Sequence, residues 1–140
     1  MASNVPVWDA AIMLTVGLVL AGLAAALHVY IFYMESLAWT SPSTRAVFGT
    51  TAEEAESSKE LARNQGFYNL FLAVVTGVGI ALTAGDCDDA GRALVLAGTG
   101  SMAAAAAVLV LGNPARMSAA LKQGLIPLLA VIAVVIDLAG

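Results

Sequence analysis

Charged side chains are scarce in this sequence. Lys and Arg together number 6 and Asp and Glu 10, so 11% of the chain is charged, against about 25% in an ordinary soluble domain. Apolar residues make up 60%. The shortage of basic residues and a net charge of -4 exclude a nucleic-acid-binding face. The composition indicates a protein whose main partner is the lipid bilayer.

Cysteine and histidine are almost missing as well. Cys87 is the only cysteine, so an internal disulfide is excluded, and His28 is the only histidine. The acidic turn from Gly85 to Gly91 lacks the ligand spacing of a calcium site. There is no nucleophile elbow and no phosphate-binding glycine loop. We therefore expect no metal and no cofactor, and the sequence leans against an enzyme without deciding the question.

Four long stretches with few charges are present, at about residues 10–34, 64–85, 93–113 and 119–138. A hydrocarbon core of about 30 Å needs about 20 apolar helical residues, so each stretch is a candidate span. The first has no basic start and is too long for a signal peptide, so we expect it to be retained. The sequence predicts an all-α, polytopic bundle of four transmembrane helices, forming one membrane domain over residues 1–140.

The basic residues predict the orientation. The loops after the first and third spans carry five of them, and the loop after the second carries one. They are Arg45, Lys59 and Arg63, then Arg92, then Arg116 and Lys122. The positive-inside rule places the odd loops in the cytoplasm, with both termini outside.

The first loop is predicted to hold a helix. Thr51 followed by Glu54 is a capping-box signature, and it opens a helix running through about Ala62. We expect this cytoplasmic helix to continue into the second span or to bend toward it.

The end of the first span is the best candidate for a site. At 100° per residue, His28, Glu35 and Trp39 share a narrow stripe. An ionisable group inside a membrane is a functional hypothesis by default, although His28 can equally serve helix packing and Trp39 an interfacial aromatic belt. His28 and Glu35 lie about 10 Å apart along the axis, so Asn69, Gln65 or water is expected to bridge them.

The other spans add polar groups at the same level. The candidates are Asn64, Gln65, Tyr68 and Asn69 at the start of the second span, and Gln123 in the fourth. Gln65, Asn69, Thr76 and Thr83 fall on one helical face, which either joins helices or lines a polar cavity. Pro127 frees the carbonyl of Gln123.

The third span differs, because its small residues, including Gly98, Gly100 and Ser101, predict a close packing surface.

These landmarks resemble a known family. They are the run from His28 to Glu35 with Trp39 and Phe48-Gly49, the run from Asn64 to Asn69 with Phe71-Leu72-Ala73, and Gln123-Gly124 with Pro127. Together they resemble the bacterial membrane family catalogued as domain of unknown function 1304. The resemblance implies a four-helix protein of the bacterial inner membrane, and it implies no established substrate, cofactor or catalytic residue.

Three classes of function remain open. A transporter, channel or small-solute-binding bundle explains the polar cluster near the cytoplasmic half, and we favour it. A pore would need a homo-oligomer, because four helices leave little room for one. The alternative is a structural or accessory subunit bound to a partner membrane protein. A membrane enzyme using His28 and Glu35 is the least favoured.

Overall fold

The computed structural model describes residues 7–140. Over this range the chain forms helices and no strand. The five α-helices are α1 (Val7–Phe32), α2 (Pro42–Phe48), α3 (Ala52–Ala84), α4 (Asp88–Gly112) and α5 (Met117–Ala139). A π-helical turn (Tyr33–Leu37) follows α1, and a 3-10 turn (Pro114–Arg116) precedes α5. The predicted all-α fold is confirmed.

Four segments are long and apolar enough to cross a membrane. They are Ala10–Leu37, Ala52–Ala84, Asp88–Gly112 and Pro114–Ala139. Their number, lengths and compositions confirm the predicted bundle of four helices that can span a membrane. The chain is therefore a multi-pass membrane protein.

The long helices form a ring in which α1 packs against α3 and α5, while α4 packs against the same two helices. Most of the buried apolar side chains are alanines, among them Ala21, Ala24 and Ala130. Lipid supplies little hydrophobic drive between helices, so a membrane bundle depends on close contact between small residues. The alanine-rich interior provides that contact.

Glycines bring α3 and α4 closest together. A Cβ on Gly79 would lie 2.7 Å from the backbone nitrogen of Val95, and a Cβ on Gly98 would coincide with the hydroxyl of Thr76. The prediction of a packing surface on the third span therefore holds at Gly98. It is wrong for Gly100 inside this bundle, because no described atom outside its own helix and its chain neighbours lies within 4 Å of that Cβ position. Assembly through Gly100 and the exposed Ser101 stays a prediction.

The long helix α3 joins the predicted loop helix to the second span without a break. The Thr51 hydroxyl accepts from the Glu54 backbone N–H (3.1 Å), and the Glu54 carboxylate accepts from the Thr51 N–H (2.8 Å), so the capping box is confirmed. The helix has 33 residues, a length of about 50 Å, whereas the hydrocarbon core measures about 30 Å. Its charged first turns therefore extend beyond the apolar layer.

Two features of the first connection differ from the sequence prediction. The π-helical turn changes the angular step after Phe32, so Glu35 and Trp39 do not continue the stripe of His28. The segment after Ser41 is the helix α2, in a loop for which the sequence predicted only the helix that begins after Thr51. Ser41 caps α2 by accepting from Thr44 N–H (3.3 Å), and Gly49 ends it with φ +67°, a left-handed conformation that favours glycine.

A buried ion pair fixes the opposite end of the bundle. The Arg92 Nε on α4 donates to the Asp137 Oδ2 on α5 at 2.7 Å, and the Asp137 side chain is only 5% exposed. Asp88 lies 3.6 Å from the same guanidinium. The pair therefore holds the start of α4 against the end of α5.

Candidate functional site

His28 is buried in α1, with 2% of its surface exposed. Its Nδ1 donates to the Ala24 carbonyl of the preceding turn at 2.9 Å, which places the ring proton on Nδ1. This bond lies within one helix. The imidazole is therefore held by its own helix, and only Nε2 is free to accept a further hydrogen bond.

Glu35 lies in the π-helical turn and bonds to α3. The Asn69 Nδ2 donates to the Glu35 Oε2 at 2.8 Å and also contacts the Gln65 carbonyl at 3.2 Å. The adjacent Ser36 hydroxyl donates to the Arg63 carbonyl at 2.9 Å. Of the expected bridges, Asn69 thus reaches Glu35, while His28 bonds within α1. The π-helical turn is the part of the first span that is joined to α3 by polar contacts.

Gly66 makes the approach of the π-helical turn to α3 possible. A Cβ on Gly66 would clash with the Ser36 hydroxyl and would lie 3.0 Å from both the Glu35 Cβ and the Ser36 backbone nitrogen. Any larger residue there would separate the two segments. This glycine therefore sets the distance at which Glu35 and Asn69 meet.

Trp39 follows the π-helical turn and contacts both α2 and the N-terminal part of α3. Its Nε1 donates to the Ser58 hydroxyl at 3.2 Å, and its ring lies edge-on to Phe48 with centroids 5.0 Å apart. Trp39 thus connects α2 to the extension of α3. It does not lie on a helical stripe with His28.

The remaining α3 candidates separate into two groups. Asn64, Gln65 and Tyr68 are exposed, and Asn64 lines a surface pocket of about 680 Å³ with Glu60 and Arg63. Farther along, the Thr76 hydroxyl donates to Leu72 O (2.9 Å) and the Thr83 hydroxyl to Gly79 O (3.0 Å). Both threonines are buried against α4. The predicted polar face of α3 therefore does not line one continuous cavity.

Gln123 lies in a separate cavity on the other side of α1. The cavity has a volume of about 450 Å³ and is bounded by three segments. One wall consists of Leu27, Tyr30 and Ile31 from α1 with Met34 from the π-helical turn, and another of Ala46, Val47, Phe48 and Gly49 from α2 and its C-terminal end. The third wall comes from the 3-10 turn and the start of α5 and consists of Ala115, Arg116, Ser118, Ala119, Lys122 and Gln123. Apolar side chains thus face a wall that carries two cations and an amide.

The sequence analysis did not predict most of this cavity, because it contained no helix before Thr51 and used Arg116 and Lys122 only to predict orientation. A signal for α2 was present, since Ser41 before Pro42 is an N-cap followed by proline at N1, and Gly49 suits the C-terminal end. The Arg116 Nη1 donates to the Phe48 carbonyl at 3.0 Å, joining α2 to the start of α5. That contact spans 68 residues of sequence and joins two walls of the cavity.

A second groove, of about 390 Å³, lies between α4 and α5. Its walls include Ala103, Val110, Leu121 and Leu128, and they are almost entirely apolar. Such a surface is what a helix pair presents to lipid chains. The cavity at Gln123 is the better candidate site, because ligand sites combine apolar walls with a few polar groups.

A ring of four apolar helices, small-residue packing and a polar end together define a multi-pass α-helical membrane protein. The chain belongs to the family described as protein of unknown function (DUF1304), whose profile matches residues 22–135. This agrees with the resemblance drawn from its motifs. Comparison with curated proteins and with solved structures gives no match.

Proposed function

We propose that this protein is a membrane bundle that binds a small amphipathic solute in the cavity between α1, α2 and the start of α5. The cavity itself is the observation that carries the proposal. Its volume of about 450 Å³ falls within the range of roughly 300–1,000 Å³ typical of small-molecule sites. Its apolar walls with Gln123 and Ser118 on one side match the usual lining of such sites.

Binding is favoured over conduction by the packing of α3. A pathway through one copy of the bundle would use the polar face that runs from Gln65 to Thr83. Thr76 and Thr83 instead bond to carbonyls of their own helix, and the Thr76 hydroxyl fills the space beside Gly98. These contacts support close helix packing where a pathway would need space.

An accessory subunit is the second candidate function. The observation in its favour is that the two ionisable groups of the first span are both engaged internally, His28 with Ala24 and Glu35 with Asn69. Such bonds stabilise a bundle without requiring any ligand. A partner membrane protein would then contact the outer surface of the ring.

Fluorescence quenching of Trp39 tests solute binding. Trp39 contacts Phe48, a cavity residue, and Trp8→Phe would leave Trp39 as the only tryptophan. In phosphatidylcholine nanodiscs, a bromododecyl amphiphile entering the cavity should quench Trp39 saturably, above the linear quenching caused by probe dissolved in the bilayer. Ala119→Phe fills the cavity and should abolish the saturable part.

Ala104→Phe is the matched control, because Ala104 is exposed on α4 and lies outside the described cavities. The probe should quench Trp39 in this variant as it does in the parent protein. If Ala119→Phe unfolds, Ala115→Phe, at another exposed cavity position, replaces it. Purely linear quenching in the parent, or saturable quenching that survives cavity filling, would reject solute binding and leave the accessory function.

The basic residues also support a proposed location and orientation. Arg116 and Lys122 border the cavity. By the positive-inside rule, their loop lies on the cytoplasmic side of a bacterial inner membrane and both termini lie outside. A cysteine replacing exposed Ser57 should be protected from impermeant thiol reagents in intact cells, while the exposed Cys87 should react. The reverse labelling pattern would overturn the orientation.

A further inference from the structure

We infer that the solute is an anionic amphiphile with one hydrocarbon chain, whose head group binds between Arg116 and Lys122. The inference rests on the proposed binding function and adds the chemical class of the ligand. The observation behind it is the arrangement of charge around the cavity. Arg116 and Lys122 both line the third wall, and the other two walls are mainly apolar.

The two cations have hydrogen-bonding capacity left for a ligand. Arg116 uses one N–H on the Phe48 carbonyl, and a guanidinium has five. Within residues 7–140, no carboxylate forms a salt bridge with Arg116 or Lys122. The described carboxylates that form salt bridges pair instead with Arg92 and Lys59. An anionic head group would therefore meet cations that no internal anion neutralises.

The spacing along α5 presents Lys122 and Gln123 to the same ligand. Ala119, Lys122 and Gln123 are related by three and four residues, so they lie on one face of the helix. Gln123 is partly buried, whereas Lys122 is exposed. A phosphate or carboxylate at this wall can accept from the ammonium group and the amide. The guanidinium of Arg116, in the 3-10 turn before α5, lines the same cavity.

The apolar walls determine the rest of the ligand. Ile31 and Met34 are buried on the α1 side, and Phe48 closes the α2 side. A cavity of about 450 Å³ accommodates one molecule of ordinary small-ligand size, which corresponds to one chain and not to a diacyl lipid. Tyr30 and Val47 are 55% and 65% exposed, so the cavity is open to the surrounding lipid. A chain can thus enter sideways from the bilayer.

Three probes of equal chain length test the charge preference in the Trp39 assay. They are bromododecyl phosphate, bromododecanol and bromododecyl trimethylammonium, which carry negative, zero and positive charge. Dissociation constants are expressed against probe concentration in the bilayer, so that unequal partitioning does not mimic specificity. The phosphate should bind most tightly and the trimethylammonium probe least tightly.

Charge-removing variants then assign the preference to the two cations. Each basic residue near a membrane surface contributes about fivefold in affinity for an anionic partner, so Lys122→Gln should weaken phosphate binding about fivefold. Adding Arg116→Gln should bring the loss to roughly 25-fold. Because Arg116 also binds Phe48, Arg116→Lys is included to retain the charge. Lys59→Gln removes the same charge from the exposed α3 extension and should leave binding unchanged.

The outcomes separate this inference from the proposed function. If all three probes bind saturably with equal affinity, or if Lys122→Gln and Lys59→Gln behave alike, solute binding stands and the anionic preference is wrong. If no probe binds saturably, both fail. Tight phosphate binding that is lost with Lys122 and Arg116, and kept in Lys59→Gln, establishes the ligand class.

Discussion

The two ends of the bundle are built differently. One end, where α3 meets α4, is called the acidic end because Asp88 and Asp137 lie there. It has a short connection, the close approach of Gly79 to the Val95 backbone, and the buried pair between Arg92 and Asp137. The opposite end is called the basic end because Arg116 and Lys122 border its cavity. It has a π-helical turn, the additional helix α2 and that cavity of about 450 Å³. One end is closed by direct contact, whereas the other keeps space between its elements.

This difference indicates where stability and function reside. Close packing of small residues allows little change of shape, so the acidic end suits holding the four spans in register. The basic end contains irregular backbone and a cavity, two walls of which are joined by the bond from Arg116 to Phe48. Sites are often placed on such segments, supported by a rigid scaffold. Variants at the two ends should therefore affect different properties.

Loss of Asp137 should have the largest effect on stability. Asp137→Ala would leave Arg92, whose side chain is 18% exposed, without its 2.7 Å partner. Breaking a buried pair on one side costs about 3 kcal/mol when the remaining charge is left alone. Asp88, 3.6 Å from the guanidinium, still compensates Arg92 in part, so we expect a loss of about 2 kcal/mol. We expect a clear fall in the melting temperature in detergent, with probe binding at the other end retained.

Two comparisons check the cause of that loss. Asp89→Ala removes an exposed carboxylate from the first turn of α4 and should change stability by less than about 0.5 kcal/mol. Replacing both members of the pair, as Arg92→Met with Asp137→Leu, should recover much of the loss, because no unpaired charge remains. Equal melting of Asp137→Ala and Asp89→Ala would show that the ion pair does not hold the acidic end.

Most of the fold could be predicted from the sequence, because its signals are local. The spans follow from apolar length, and the start of α3 from Thr51 and Glu54, which lie three residues apart. For Gly98 the sequence predicted a small-residue packing surface, but it did not predict that Thr76 would be the contact. The periodicity of α4 did not distinguish Gly98 from Gly100, since the side facing α3 depends on helix rotation.

The geometry of the candidate site was less predictable. The helical wheel assumed 100° per residue through Trp39, and the π-helical turn after Phe32 breaks that assumption. Asn69 was expected as a bridge, and it does bond to Glu35, but nothing local indicated that Gln123 would lie on another side of α1. The cavity depends on contacts such as that of Arg116 with Phe48, which residues far apart in sequence make only after the helices pack.

The smallest expected effect tests the tight contact of Gly66 at the basic end. Gly66→Ala places a Cβ where the Ser36 hydroxyl now lies, and 3.0 Å from the Ser36 backbone nitrogen. The hydroxyl can rotate away, losing its bond to the Arg63 carbonyl, and the backbone must move by a few tenths of an ångström. One lost hydrogen bond costs about 1 kcal/mol, so the melting temperature should fall modestly. Gly77→Ala is the control on the same helix, because no described atom outside that helix and its chain neighbours lies within 4 Å of its Cβ position. If both variants melt alike, the π-helical turn does not depend on close contact with α3.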